Sequence, residues 1–273
     1  MNILAFDLDG TLLNGNFELS AANIAAVRRA ADAGAMIVLA SGRPPESVLL
    51  HAKNLACCAY AICCNGAVAI KLDTAAVIFE RHLCRSAVRV VVDFCTERGL
   101  ELISYTARKT FAARKSPAVE LETLRSAIEP DIVHSLSEVE DTVKLLVIGE
   151  ASRMPVVRED IARLGGFEAT ISYPEYVDVV GAGVTKASTL SILLDDWGAA
   201  WRDVAAFGDG ANDVPLIARA AVGVAMANAS LEAQRAAHFI APSHDDDGVA
   251  LAIAALLFDD RDAFAALVRG GRP

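Results

Sequence analysis

Two acidic runs, each set directly behind a short apolar stretch, restrict this chain more than any other feature. The first is Asp7-Leu8-Asp9-Gly10-Thr11-Leu12-Leu13, behind the apolar residues 3–6. The second is Gly208-Asp209-Gly210-Ala211-Asn212-Asp213, behind residues 204–207. Short uninterrupted apolar runs suit strands buried on both faces, as in a parallel sheet. Ligands of open α/β sheets bind outside the carboxyl ends of such strands. Gly10 lets the chain turn sharply just after the carboxylates. Asp and Gly end many strands, so one run alone says little. Two runs on separate strands of one parallel sheet can converge on a single site. Asp7, Asp9, Asp209 and Asp213 would then repel one another unless a cation sat among them. Mg²⁺ takes oxygen ligands and keeps some waters, which makes it the natural candidate.

The remaining pattern fits a sheet built from both ends of the chain. After the strand at residues 3–7, Ser20 caps a helix through residue 30, closed by Gly34. Residues 36–40 form the next apolar strand. Pro44 and Pro45 suit the first turn of a second helix. Residues 60–64 form a third strand, ended by the Asn65-Gly66 turn. From Thr185 the alternation returns: a helix to residue 197, a strand at 204–207, and shorter strands at 222–224 and 239–241. The middle breaks this order. Helices are expected at 86–98, 117–128 and 154–164, and strands at 101–105, 110–113, 143–148 and 176–180. Two strands in succession there suggest a separate α+β layer. The expected fold is α/β, a Rossmann-like parallel-sheet core (residues 1–83 and 181–273) with an inserted α+β cap (residues 84–180).

Further residues suit an anion. Ser41-Gly42-Arg43 follows the second strand and precedes a helix, where a hydroxyl, free backbone N–H groups and a helix N-terminus favour phosphate. Lys186 opens the helix after Thr185. A cation there opposes the helix dipole, and this is easier to understand if it faces an anion. Taken alone, it reads as a solvated surface lysine.

Bulk properties exclude several classes. The 273 residues carry a net charge of −10 and a pI near 5.0, against the basic face of a nucleic-acid binder. No apolar run reaches the roughly 18 residues of a membrane span. The amino-terminal stretch lacks the basic residues and cleavage site of a signal peptide, so a cytoplasmic protein is expected. Cys57, Cys58, Cys63, Cys64, Cys84 and Cys95 lack the usual spacing of a zinc site and read as reduced thiols, with Cys63 or Cys64 near the mouth of the site.

Together the motifs resemble the haloacid dehalogenase-like superfamily, and within it the Cof-like phosphatases with a large inserted cap. The resemblance rests on Asp7-Leu8-Asp9-Gly10-Thr11, Ser41-Gly42-Arg43-Pro44, Lys186 and Gly208-Asp209-Gly210-Ala211-Asn212-Asp213, in that order. Asn65-Gly66-Ala67, Gly223-Val224-Ala225-Met226-Ala227-Asn228-Ala229 and Asp247-Gly248-Val249 look like the same subfamily. Ala187 and Leu216 depart from its usual Gly and Met.

The resemblance implies a Mg²⁺-dependent phosphatase acting on a small phosphorylated metabolite through an aspartyl-phosphate. Asp7 would be the nucleophile and Asp9 the general acid–base. Ser41, Gly42, Lys186 and Asn212 would hold the phosphate. Asp7, the Asp9 carbonyl, Asp209 and Asp213 would serve the metal. A sugar phosphomutase would share every core motif, and a catalytically silent metabolite-binding module on the same fold is the reading from another class. A monomer or small homo-oligomer is expected.

All four motifs lie outside residues 84–180, so this segment is expected to select substrate and to contribute little to phosphoryl chemistry. Within it, Arg108, Lys109, Arg114 and Lys115 read as a solvated turn able to reach an anionic substrate. Asp178 reads as a contact to a sugar hydroxyl or as an ordinary surface or hinge carboxylate.

Overall fold

The computed structural model of the chain describes residues 2–271. Its first part runs β1 (Ile3–Phe6), α1 (Ala21–Asp32), β2 (Met36–Ala40), α2 (Pro45–Leu55), β3 (Cys58–Cys63), β4 (Val68–Lys71) and β5 (Ala76–Glu80). The middle runs α3 (Arg85–Arg98), β6 (Glu101–Tyr105), β7 (Thr110–Ala112), α4 (Pro117–Ser126), β8 (Asp131–Ile132), β9 (Lys144–Ile148), α5 (Met154–Leu164), β10 (Phe167–Tyr173) and β11 (Tyr176–Gly181). The last part runs α6 (Lys186–Asp196), β12 (Val204–Gly208), α7 (Val214–Arg219), β13 (Val222–Met226), α8 (Leu231–Ala236), β14 (Phe239–Ala241), α9 (Gly248–Phe258), α10 (Arg261–Ala265) and β15 (Val268–Arg269).

These strands form two sheets. The larger has the order β15-β14-β13-β12-β1-β2-β3-β4-β5. Its centre is parallel: Ile3 pairs with Val204 on one side and Met36 on the other. The chain leaves β1 toward β2, and β12 later returns to the opposite side of β1. The carboxyl end of β1 is therefore a topological switch point, where a crevice opens. Alternation along β1 feeds two cores. Leu4 and Phe6 pack with Val27, Val48 and Ile253 of α1, α2 and α9. Ile3 and Ala5 pack with Leu190, Leu193 and Leu216 of α6 and α7. Both faces are thus covered, as a parallel sheet requires.

The second sheet, β10-β11-β9-β6-β7-β8, lies wholly between Glu101 and Gly181 and is antiparallel except for β7 with β8. Period-two alternation again divides it. Leu145, Val147, Val177 and Val179 pack on α3 and α5 through Val91, Phe94, Val157 and Ile161. The opposite face carries Tyr105, Lys144, Leu146, Tyr176 and Asp178. Tyr105, Leu146 and Tyr176 belong to the same apolar cluster as the larger sheet. That face is where the two layers meet.

Five strands fall outside the sequence expectation, among them the two-residue β8 and β15. β4 and β5 extend the larger sheet by an antiparallel hairpin, and β10 pairs with β11 at the edge of the smaller one. The cysteines also differ from expectation. Cys63 and Cys64 are fully buried, and burial pushes the Cys64 thiol up to about 12. Neither reaches the mouth of the crevice. Cys84 is exposed, and its thiol is lowered by the Ser86 hydroxyl and the Ala87 N–H. Thiolate content governs reactivity, so a limited dose of a thiol reagent modifies Cys84 before Cys63 or Cys64. Peptide mapping checks this; equal labelling of Cys63 would contradict the burial.

Candidate active site

Both acidic runs end at the same edge, one on β1 and one on β12. Gly10 takes φ +75°, and a Cβ there would lie 2.4 Å from Asp209 Oδ2. Only glycine admits this turn and this approach together. Thr11 Oγ1 donates to Asp209 Oδ1 at 3.1 Å, tying the first run to the second. The Asn228 amide donates to the Gly10 carbonyl at 2.8 Å.

The carboxylates of Asp7, Asp209 and Asp213 come within 4.8 Å of one another. Asp7 and Asp213 are 5% and 0% exposed. Burial and the Asp213 charge push the Asp7 carboxyl well up, and Lys186 pulls against them. Burial, with Asp213 adding to it, raises Asp209 to about 7. Two of these crowded carboxylates, Asp7 and Asp209, resist ionisation, and a cation among the three would relieve their repulsion. Their donors are all oxygen, which suits a hard divalent ion.

Lys186 supplies one positive charge. Its Nζ donates to Asp7 Oδ1 at 2.6 Å and to Asp213 Oδ1 at 2.7 Å, with no exposure to solvent. Burial would lower its pKa, but Asp213 and Asp7 outweigh that and hold it above the ordinary lysine value. It is therefore no surface lysine. Thr185 makes the placement possible: its side chain accepts from the Ser188 N–H and caps α6 so that the helix begins at Lys186. Asp213 Oδ2 accepts from the N–H groups of Asp209 and Gly210 at 3.1 and 3.0 Å, which fixes the loop.

Asp9 stands apart from the cluster, unlike the four-carboxylate arrangement read from sequence. Arg43 forks onto it: Nε to Oδ2 at 2.8 Å and Nη2 to Oδ1 at 2.7 Å. A planar guanidinium meets two carboxylate oxygens at once, which explains the diversion. Arg43 Nη1 also donates to Ser47 Oγ and, at 2.7 Å, to the Arg125 carbonyl in α4. Arg43 thus joins the first run to the smaller-sheet layer.

A cavity of about 360 Å³ opens over these groups. Asp7, Asp9, Asp209, Gly42 and Asn212 line its floor; Glu122, Arg125, Lys144, Tyr173, Tyr176 and Asp178 line its roof. Phe17, Asn228 and His244 stand at its edge. Ser41 and Lys186 are fully buried and do not line it. Sequence reading missed Lys144, Glu122, Arg125 and the aromatic pair. A single lysine inside the apolar run Val143-Lys144-Leu145-Leu146-Val147-Ile148 was the available signal. Asp178 is neither a surface carboxylate nor free: it is 2% exposed and pairs with Lys144 Nζ at 2.6 Å. Lys109, Arg114 and Lys115 form exposed ion pairs with Asp131, Glu101 and Glu129, and Arg108 is exposed, as a solvated turn requires.

No helix among the described residues is long and apolar enough to cross a membrane. The family model for haloacid dehalogenase-like hydrolases matches residues 4–253. A crystal structure of a haloacid dehalogenase-like hydrolase from Bacteroides thetaiotaomicron superposes with a TM-score of 0.84 at 30% identity, covering 93% of this chain and 99% of that one. A 5-amino-6-(5-phospho-D-ribitylamino)uracil phosphatase of Bacillus subtilis is 26% identical over 255 residues, 93% of this chain and 94% of its own. A pyridoxal phosphate phosphatase of Escherichia coli is 22% identical over 260 residues, 91% and 96% of the two chains. With a family model spanning nearly all of its length and the acidic runs meeting at the sheet edge, this chain belongs to the haloacid dehalogenase-like hydrolases.

Proposed function

We propose that this protein is a Mg²⁺-dependent phosphatase that hydrolyses a small phosphorylated metabolite, with Asp7 as nucleophile. The observation that carries this is the Asp7 carboxylate itself. It is buried at a sheet switch point, bound by Lys186, grouped with two further carboxylates and opened onto a cavity. A merely structural carboxylate needs none of that charge compensation. The phosphatase names of the relatives from B. subtilis and E. coli support the reaction class. In this reading residues 1–83 and 181–273 form the catalytic core and residues 84–180 the cap.

The geometry supports the following steps. Lys186 engages one Asp7 oxygen, so the other attacks phosphorus while the bond to the leaving oxygen breaks. Asp9 gives that oxygen a proton, then takes one from the water that cleaves the aspartyl-phosphate and frees phosphate. Both Asp9 oxygens are held by Arg43, so proton transfer requires this fork to open. Gly42 and Asn212 line the cavity and meet the phosphoryl oxygens; the Ser41 hydroxyl and Lys186, buried beneath it, would reach them once the phosphoryl group seats against Asp7. Asp7, Asp209, the Asp9 carbonyl and, through water, Asp213 would hold Mg²⁺, which when bound offsets charge on the phosphoryl group.

A screen of phosphomonoesters with and without metal tests the reading. Activity is lost in excess EDTA and returns with Mg²⁺. Ca²⁺ does not restore it, because its longer bonds and higher coordination spoil the attack geometry. Full turnover in EDTA, or no turnover on any ester with Mg²⁺, would overturn it.

A further inference from the structure

We propose that Asn65 is a positioning residue through which the buried Lys144–Asp178 pair orders the phosphate site. This rests on the phosphatase reading above. Asn65 sits behind β3 in the left-handed region, φ 56°, and is 5% exposed. Its amide Nδ2 donates to Asp178 Oδ2 at 2.8 Å, and its Oδ1 accepts from Asn212 Nδ2 at 2.9 Å. The orientation is chemically fixed: an ionised carboxylate only accepts, so the NH₂ must face Asp178 and the oxygen Asn212. Asn65 N–H donates to the Ser41 carbonyl at 3.1 Å. Next to it, a Cβ on Gly66 would lie 2.3 Å from the Thr185 carbonyl, and Thr189 Oγ1 donates to the Gly66 carbonyl at 2.6 Å. This one turn therefore touches the loop of Ser41, the loop of Asn212, the start of the Lys186 helix and strand β11.

Lys144 closes the ring. Its Nζ reaches Asp178 Oδ1 at 2.6 Å and the Gly42 carbonyl at 2.8 Å. The register explains the pairing: Asp178 faces Leu146 across β11 and β9, so Lys144 is its diagonal neighbour on the same sheet face. Lys144 and Asp178 are 5% and 2% exposed, so neither charge is satisfied by water in this arrangement. One ion pair thus grips Gly42 directly and Asn212 through Asn65. Both are floor residues of the cavity. The smaller sheet therefore does more than choose the leaving group: its seating completes the phosphate-binding floor.

Asn65→Gly is the informative variant, because glycine keeps the left-handed backbone and removes only the side chain. The probe is inorganic phosphate with Mg²⁺, read as product inhibition and as phosphate-dependent protection in thermal melts. The variant weakens phosphate about tenfold, the scale of a buried hydrogen bond near a charged group. Asn212→Ala has a similar effect, and the double variant is no worse than either alone within about threefold, because the two act as one unit. A generic ester and a larger metabolite ester slow by the same factor.

Lys115→Ala, in an exposed pair with Glu129, changes nothing. Should Asn65→Gly fail to fold, the paired variant Lys144→Met/Asp178→Leu, which removes both buried charges together and the acceptor of Asn65, carries the same cycle with the same expectation. Phosphate affinity within about twofold of wild type, or effects that multiply with Asn212→Ala, would overturn the proposal. The melts need no turnover, so a relay that fails is distinguishable from a phosphatase reading that fails. A purely structural Asn65 would lower the melting point without changing the phosphate-dependent increment.

Discussion

Asp7→Asn loses turnover by at least about 10³-fold, as expected when a covalent nucleophile becomes an amide. The fold survives. Asn is nearly isosteric, and its oxygen still accepts from Lys186 where Asp7 Oδ1 does now at 2.6 Å. Removing the Asp7 carboxylate, whose pKa burial and then the Asp213 and Asp209 charges push upward, relieves that repulsion. Stability in EDTA should therefore stay within about 1 kcal/mol of wild type. Activity near wild type in the purified variant would reject Asp7 as nucleophile. A collapsed fold would show that the site's charge balance has been misread.

Lys186→Met has the second large effect, and its sign on stability is opposite. Methionine fills similar volume but leaves the buried Asp7 and Asp213 without their cation. Breaking a buried pair by removing one partner costs about 3–5 kcal/mol. At about 2–4 °C per kcal/mol, the melting point in EDTA falls by roughly 6–20 °C. Mg²⁺ recovers part of that loss, since a bound divalent ion replaces the missing positive charge and stabilises by mass action. Turnover stays absent even with Mg²⁺, because Asp7 has lost its orienting partner. A melting point unchanged in EDTA would contradict the charge argument.

Much of this architecture was legible because its signals are local. Apolar runs ending in Asp7, Ser41-Gly42 and Gly208 mark β1, β2 and β12, and Ser20 and Thr185 mark helix starts that the structure confirms by side-chain caps. The β4–β5 hairpin escaped because Leu72-Asp73-Thr74-Ala75 holds no Gly, Pro or Asn-Gly turn signal. β10 has period-two alternation of Phe, Ala, Ile and Tyr, but its residues are only half-buried and follow Gly165-Gly166, which reads as loop.

The site divides the same way. Asp7, Asp209 and Asp213 could be picked from strand ends. That Lys186 binds Asp7 across 179 positions could not, because nothing local in a helix start identifies its partner. The Lys144–Asp178 pair is legible only in retrospect: each is a lone charge in an apolar strand, and register alone shows that they meet. Asp9 misled for a related reason. Its spacing from Asp7 suggested one cluster, whereas a long side chain from β2's end, Arg43, takes it away.

Covalent chemistry at Asp7 leaves a phosphoryl group on the enzyme that can be trapped and located. The enzyme turning over p-nitrophenyl phosphate with Mg²⁺ is quenched in acid within the steady state, digested and mapped by mass spectrometry. The mass of one phosphoryl group is expected on the peptide containing Asp7, and none in Asp7→Asn. Steady turnover with a phosphoryl group on another residue, or with none on the enzyme at any quench time, would contradict covalent chemistry at Asp7.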